Sequence, residues 1–90
     1  MRRRVRAGGE EVHLSPKEYD LLGYLVRYSG RVITHQQLLR EIWGPTHAEE
    51  VQYLRVYVRQ LRQKLEPDPT QPVQLLTEPG VGYRMVEQEE

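Results

Sequence analysis

Arg55, Arg59 and Arg62 alternate with Gln52, Gln60 and Gln63, and these are the residues of this chain whose types and spacing could do chemistry. A guanidinium forks onto phosphate oxygens or a guanine edge, and a carboxamide pairs with an adenine edge. All six fall within one stretch, Glu49 to Glu66, EEVQYLRVYVRQLRQKLE. Val51, Leu54, Val58, Leu61 and Leu65 recur there at steps of three and four, which predicts a single amphipathic helix over 49–66. At about 100° per residue, Gln52, Val56, Arg59, Gln60 and Gln63 project opposite the leucines, with Arg55 and Arg62 on one flank. Glutamates open the stretch and Lys64 lies near its end, the charge order that a helix dipole favours. An exposed Arg/Gln face is ordinarily a solvated one, but solvated faces mix both signs. Here no acid interrupts the run between Glu50 and Glu66, so the face points to an anionic partner.

The rest of the chain must position that helix. Its 90 residues suffice for one domain with a single modest core. At 38% hydrophobic and 29% charged, the composition is that of a globular chain. Without cysteine there is no disulfide framework, zinc knuckle or thiol chemistry, which fits a reducing compartment such as the cytoplasm. No apolar run approaches membrane-spanning length, and Met1-Arg2-Arg3-Arg4 leads into no signal-peptide core. Thirteen basic residues balance thirteen acidic ones, which counts against a nucleic-acid partner until the distribution is considered. Acids gather at Glu10-Glu11, Glu49-Glu50 and Glu87 to Glu90, leaving the long helix basic. His13, His35 and His47 lie on separate elements without metal-ligand spacing, there is no Gly-rich phosphate loop, and no Ser/His/Asp arrangement is legible. The sequence therefore carries no catalytic or cofactor site, and none is expected.

Taken in order, Arg4-Val5-Arg6 and Glu11-Val12-His13-Leu14 alternate polar and apolar residues around Gly8-Gly9, predicting a hairpin. Arg2, Arg3 and Arg4 read as a solvated strand end, with a phosphate contact as the other option. Ser15-Pro16-Lys17-Glu18 is a helix start with a capping box, and Leu21, Leu22, Leu25, Val26 and Tyr28 are its expected core side before Ser29-Gly30. Arg31-Val32-Ile33 is a short extended link. Thr34 caps a second helix, with Gln37 in the box position, Leu38, Leu39, Ile42 and Trp43 inward, and Gly44-Pro45 as its stop. Thr34 is either a pure cap or a helix start that holds a phosphate. Gly44 to Ala48 is either a plain linker or an exposed protein contact. Beyond the long helix comes the breaker-rich loop 66–72, then a strand over Val73 to Thr77, a turn over Glu78 to Gly82, and a strand over Tyr83 to Val86. Strands, three helices and a terminal hairpin make an α+β fold, laid out as a winged helix-turn-helix with the hairpin as its wing.

Five stretches carry a family resemblance: Leu14 to Leu22 (LSPKEYDLL), Gly30 to Thr34 (GRVIT), Leu38-Leu39 with Ile42-Trp43-Gly44, Val58 to Glu66 (VRQLRQKLE), and Gly80 to Arg84 (GVGYR). With them the chain resembles, over nearly its full length, the C-terminal winged-helix DNA-binding (effector) domain of OmpR/PhoB-type response regulators. Within that family, Tyr53 to Tyr57 followed by Leu61 to Glu66 is most similar to a regulator of potassium uptake. The resemblance implies that the third helix enters the major groove of double-stranded DNA, with Gln52, Val56, Arg59 and Gln60 at bases or nearby phosphates. Arg55, Arg62 and Thr34 would hold the backbone, and Val56 would meet a thymine methyl. The wing from Thr77 to Tyr83 would reach the adjacent minor groove, and Tyr53 and Gln63 complete the implied DNA-binding set. Gly44, Pro45, Thr46, His47, Ala48 and Glu49 match the loop that touches RNA polymerase. An N-terminal receiver domain, phosphorylated on an aspartate by a cognate sensor kinase, and dimeric binding to tandem half-sites are further implications. The isolated chain is expected to be monomeric.

The chain departs from the pattern twice. Pro79 stands where many relatives carry an arginine in the wing, and Gln60 replaces a common arginine, which shifts expected readout there from guanine toward adenine. The family's N-terminal sheet also has more strands than Arg2 to Leu14 can supply. Residues 1–90 are thus read as one winged-helix domain, excised and trimmed, without its receiver. A winged helix used for protein–protein docking is the rival function; it would lack the salt dependence of a DNA complex.

Overall fold

The computed structural model describes residues 4–7 and 10–87, with side chains from Glu11 to Glu87. Arg4–Ala7 (β1) and Glu10–His13 (β2) pair antiparallel, Val5 opposite Val12, as the alternation predicts. The expected Gly8-Gly9 turn, Arg2, Arg3 and the Arg4 side chain lie outside the described residues. Pro16–Arg27 (α1) opens on the predicted capping box: the Ser15 hydroxyl accepts from the Glu18 N–H at 3.3 Å, and the Ser15 N–H donates to Glu18 Oε1 at 2.8 Å. Leu21 and Leu25 are fully buried, but Val26 is 50% exposed, narrowing the expected apolar stripe. Leu22 is buried and Tyr28 packs against the core as expected, so Val26 alone of the five faces outward.

The 31–33 link is in fact the start of a strand, Val32–Thr34 (β3). It pairs antiparallel with Gly82–Met85 (β5), Ile33 opposite Tyr83, and β5 pairs in turn with Leu75–Glu78 (β4). The wing is therefore a three-stranded sheet of order β3-β5-β4. Gly82 faces the crossing: a Cβ there would stand 1.8 Å from the Ile33 carbonyl oxygen, so only glycine permits the β3–β5 approach. Gly80, at φ 74°, makes the turn between β4 and β5.

His35–Trp43 (α2) is capped by Thr34, whose hydroxyl accepts from the Gln37 N–H at 3.1 Å. The Gln37 amide does not close the expected box; it donates to the Tyr24 hydroxyl at 2.7 Å and ties α2 to α1. Pro45–His47 forms a single 3₁₀ turn before Val51–Leu65 (α3). Thus α3 is shorter than the predicted 49–66, with Glu50 and Glu66 as its two caps. Glu50 spends its carboxylate on His47 Nδ1 at 2.6 Å instead of on the helix N–H groups. Leu54, Val58 and Leu61 are buried, meeting Leu21, Leu25, Leu38 and Leu39 in one core.

Candidate nucleic-acid interface

The burial of Leu54, Val58 and Leu61 turns the opposite side of α3 outward. Gln52, Arg55, Val56 and Arg59 line a shallow groove on it, and Gln60 and Gln63 are also exposed. Arg55 Nη1 leans on Gln52 Oε1 at 3.4 Å, while Arg59 makes no hydrogen bond or ion pair among the described residues. Lys64 leaves this face. Its ammonium bonds Glu18 Oε1 at 2.6 Å, so the fourth basic residue of α3 serves the α1–α3 contact.

Arg62, one turn beyond Arg59, is half-buried and committed to the wing. Its Nε and Nη2 donate to the Leu75 carbonyl at 3.0 and 2.9 Å, and Nη2 reaches Thr77 Oγ1 at 2.7 Å. The guanidinium carbon lies 5.8 Å from the centre of the Tyr83 ring. Glu66, four residues on and only 6% exposed, grips the same place from the other side. Its carboxylate accepts the N–H groups of Val73, Gln74 and Leu75, the last at 2.7 Å. The last turn of α3 thus clasps the start of β4, fixing the wing against the helix.

Between them lies a cleft lined by Arg55, Arg59, Arg62 and Gln63 from α3, Thr77 and Tyr83 from the wing strands, and His35 from α2. Among the described residues no carboxylate lines it. Tyr83 is 4% exposed, and burial raises the pKa of its hydroxyl against the opposing pull of Arg62 and Arg55. His35 meets the Tyr83 ring edge-on at 5.4 Å; burial, and then the Arg55 charge, lower its pKa. Pro69, Thr70, Pro79 and Gly80 complete the rim. Asp68, next to Pro69 in sequence, is turned onto Thr70, accepting its N–H at 3.0 Å and its hydroxyl at 2.6 Å.

Gln52, Arg55, Val56, Arg59, Arg62, Gln63, Thr77 and Tyr83 from the sequence-based set therefore line two grooves that share Arg55 and Arg59. Gln60 is exposed on the same helix, and Thr34 caps α2 immediately before His35. Tyr53 is elsewhere. It packs against Trp43 at 5.6 Å and Tyr57 at 5.5 Å, beside a groove shared with Lys17, His47, Glu49 and Glu50. That groove adjoins the Gly44–Glu49 segment, which the 3₁₀ turn and the His47–Glu50 pair fold tightly. Sequence reasoning missed His35, Pro69 and Thr70 as cleft residues, whereas Pro79 and Gly80 fall within the wing expected over 77–83. Only His35 carried a signal, since it follows a cap that was itself a candidate. Among the described residues there is no His/Asp/Glu group that could hold a metal ion, and no helix is long and apolar enough to cross a membrane.

Comparison with known proteins gives a consistent family. The model described as "Transcriptional regulatory protein, C terminal" matches residues 9–85. The transcriptional regulatory protein KdpE of Mycobacterium tuberculosis is 51% identical over 82 residues, which cover 91% of this chain and 36% of that protein. The KDP operon regulator KdpE of Escherichia coli K12 is 49% identical over the same shares. The chain thus spans about a third of the length of these relatives. Among solved structures, the DNA-binding domain of Klebsiella pneumoniae RstA in complex with RstA box superposes with a TM-score of 0.82 at 30% identity, covering 92% of this chain and 82% of that one. The Thermotoga maritima OmpR/PhoB homolog DrrB gives 0.74 at 32% identity, covering 87% of this chain and 35% of that one.

Proposed function

The chain belongs to the transcriptional regulatory protein C-terminal family, with the winged-helix fold of OmpR/PhoB-type effector domains, and from that premise we propose that it binds double-stranded DNA sequence-specifically to regulate transcription. The observation that carries this reading is the acid-free Arg/Gln face of α3 running into a cleft edged by the wing. α3 lies in the major groove, and Arg59, Gln52, Gln60 and Val56 read bases, each bidentate pair contributing about 1–3 kcal/mol of discrimination. Arg55 and Thr34 hold phosphates. Arg62, Thr77 and Tyr83 set the wing, whose tip at Pro79 and Gly80 lies along the adjacent minor groove or its backbone. Gln63 meets the backbone at the cleft, and Tyr53 contributes from the edge of the α3 face.

The whole regulator carries a receiver domain served by a sensor kinase, works in the bacterial cytoplasm, and pairs on tandem half-sites, while this chain alone is monomeric. Similarity to the two KdpE proteins supports potassium-uptake genes as the target. The Gly44–Glu49 segment, beside the Trp43–Tyr53 groove, is the contact for RNA polymerase. Selection of duplexes from a random pool by the 90-residue chain, at stated salt, tests the reading. An enriched motif with repeated half-sites is expected; a pool that stays random, with a protein partner still retained, would establish the docking alternative instead.

A further inference from the structure

The cleft holds one ionisable group that neither the helix face nor the wing accounts for. His35, at the first position of α2, is fixed on two sides. Its backbone N–H donates to the Val81 carbonyl at 3.1 Å, and its ring stands edge-on against Tyr83. The charged groups that share the cleft with it are the guanidiniums of Arg55, Arg59 and Arg62, all from α3; from β5 comes the Tyr83 phenol. The wing-tip and 66–73 loop segments of the lining contribute no ionisable side chain, and Glu78, on β4, is paired with Arg84 at 3.2 Å. A proton on His35 would therefore add a fourth positive group to three that no cleft carboxylate offsets.

We propose that His35 is a phosphate-binding residue which takes up a proton when duplex DNA fills the cleft, making the complex tighter as pH falls through neutrality. The inference rests on the DNA-binding reading above. In the free chain, burial and the Arg55 charge both hold the imidazole neutral. A phosphate in the cleft reverses the second effect, because its negative charge offsets Arg55 and offers the ring an acceptor. Binding then draws a proton from solution, and by linkage the affinity rises as protons become available, over the interval between the free and bound midpoints.

The test follows the His35 ring by NMR through a pH titration, with the chain free and then bound to a mixed-sequence duplex of about 20 base pairs, two half-sites long. The midpoint is expected below the ordinary histidine value in the free chain and above it on the duplex. In parallel, the native chain should bind that duplex about fivefold tighter near pH 6 than near pH 7.5, and His35→Gln should remove most of that ratio. His13 and His47, outside the cleft lining, remain in both chains as an internal control. Two results would overturn the inference while leaving the function intact: a duplex-bound midpoint that does not move, or an unchanged ratio in His35→Gln. Failure of the native chain to bind duplex at either pH would overturn both.

Discussion

Arg59 and Arg62 are three residues apart on one helix and have different work. Arg59 is free of internal partners among the described residues, whereas Arg62 spends its Nε and Nη2 protons on Leu75 and Thr77. Their substitutions should separate accordingly. Arg59→Ala is expected to weaken duplex binding by about 1–3 kcal/mol with an unchanged melting curve. Arg62→Lys keeps the charge but loses the fork, leaving the buried Leu75 carbonyl short of donors, and should lower folding stability by about 1–3 kcal/mol in a urea titration. Gln60→Arg should change base preference at one position of a selected motif and leave the fold alone. The residue types alone could not distinguish these roles. Periodicity placed Arg62 on the flank of the exposed face, but its engagement with Leu75 spans thirteen residues of sequence and follows from where the wing docks.

At the scale of elements, α3 was legible because five apolar residues at helical spacing outweigh every competing signal. Its ends were not: Glu50 and Glu66 have helix-compatible side chains, and only their contacts with His47 and with the 73–75 backbone remove them from the helix. β3 was missed for a related reason. Three residues give no readable alternation, and the strand exists because β5 returns to pair with it. That pairing yields a sharp expectation for Gly82. A methyl group there would lie 1.8 Å from Ile33 O, so Gly82→Ala should part β3 from β5 and cost roughly 3 kcal/mol or more, read as a lowered urea midpoint and lost amide protection in both strands. A glycine in a turn motif announces a turn; its closeness to Ile33, on a strand far earlier in the chain, is a tertiary fact.

The molecule as a whole is neutral by count and polarised by arrangement. Glu18 shows how its charges divide between binding and folding. Although 2% exposed, it joins α1 to α3 through Lys64 and the Ser15 N–H. Burial pushes its pKa up, but those bonds together outweigh burial and leave it below the ordinary glutamate value. A depressed folded-state pKa means stabilisation that is complete above the unfolded pKa and lost as pH falls through the folded one. Acid unfolding of the native chain should therefore steepen in that low window, and Glu18→Gln should flatten it. Lys64 and Arg62 are committed to internal contacts, which leaves Arg55 and Arg59 as the field that a polyanion meets. The most direct test is a titration of a labelled, selected duplex with the native chain across salt. Affinity should fall about tenfold or more between about 50 and 200 mM, with the log–log slope shallower by about one in Arg55→Ala. Binding indifferent to salt, and equal in Arg55→Ala and Arg59→Ala, would contradict α3 as the surface that meets DNA.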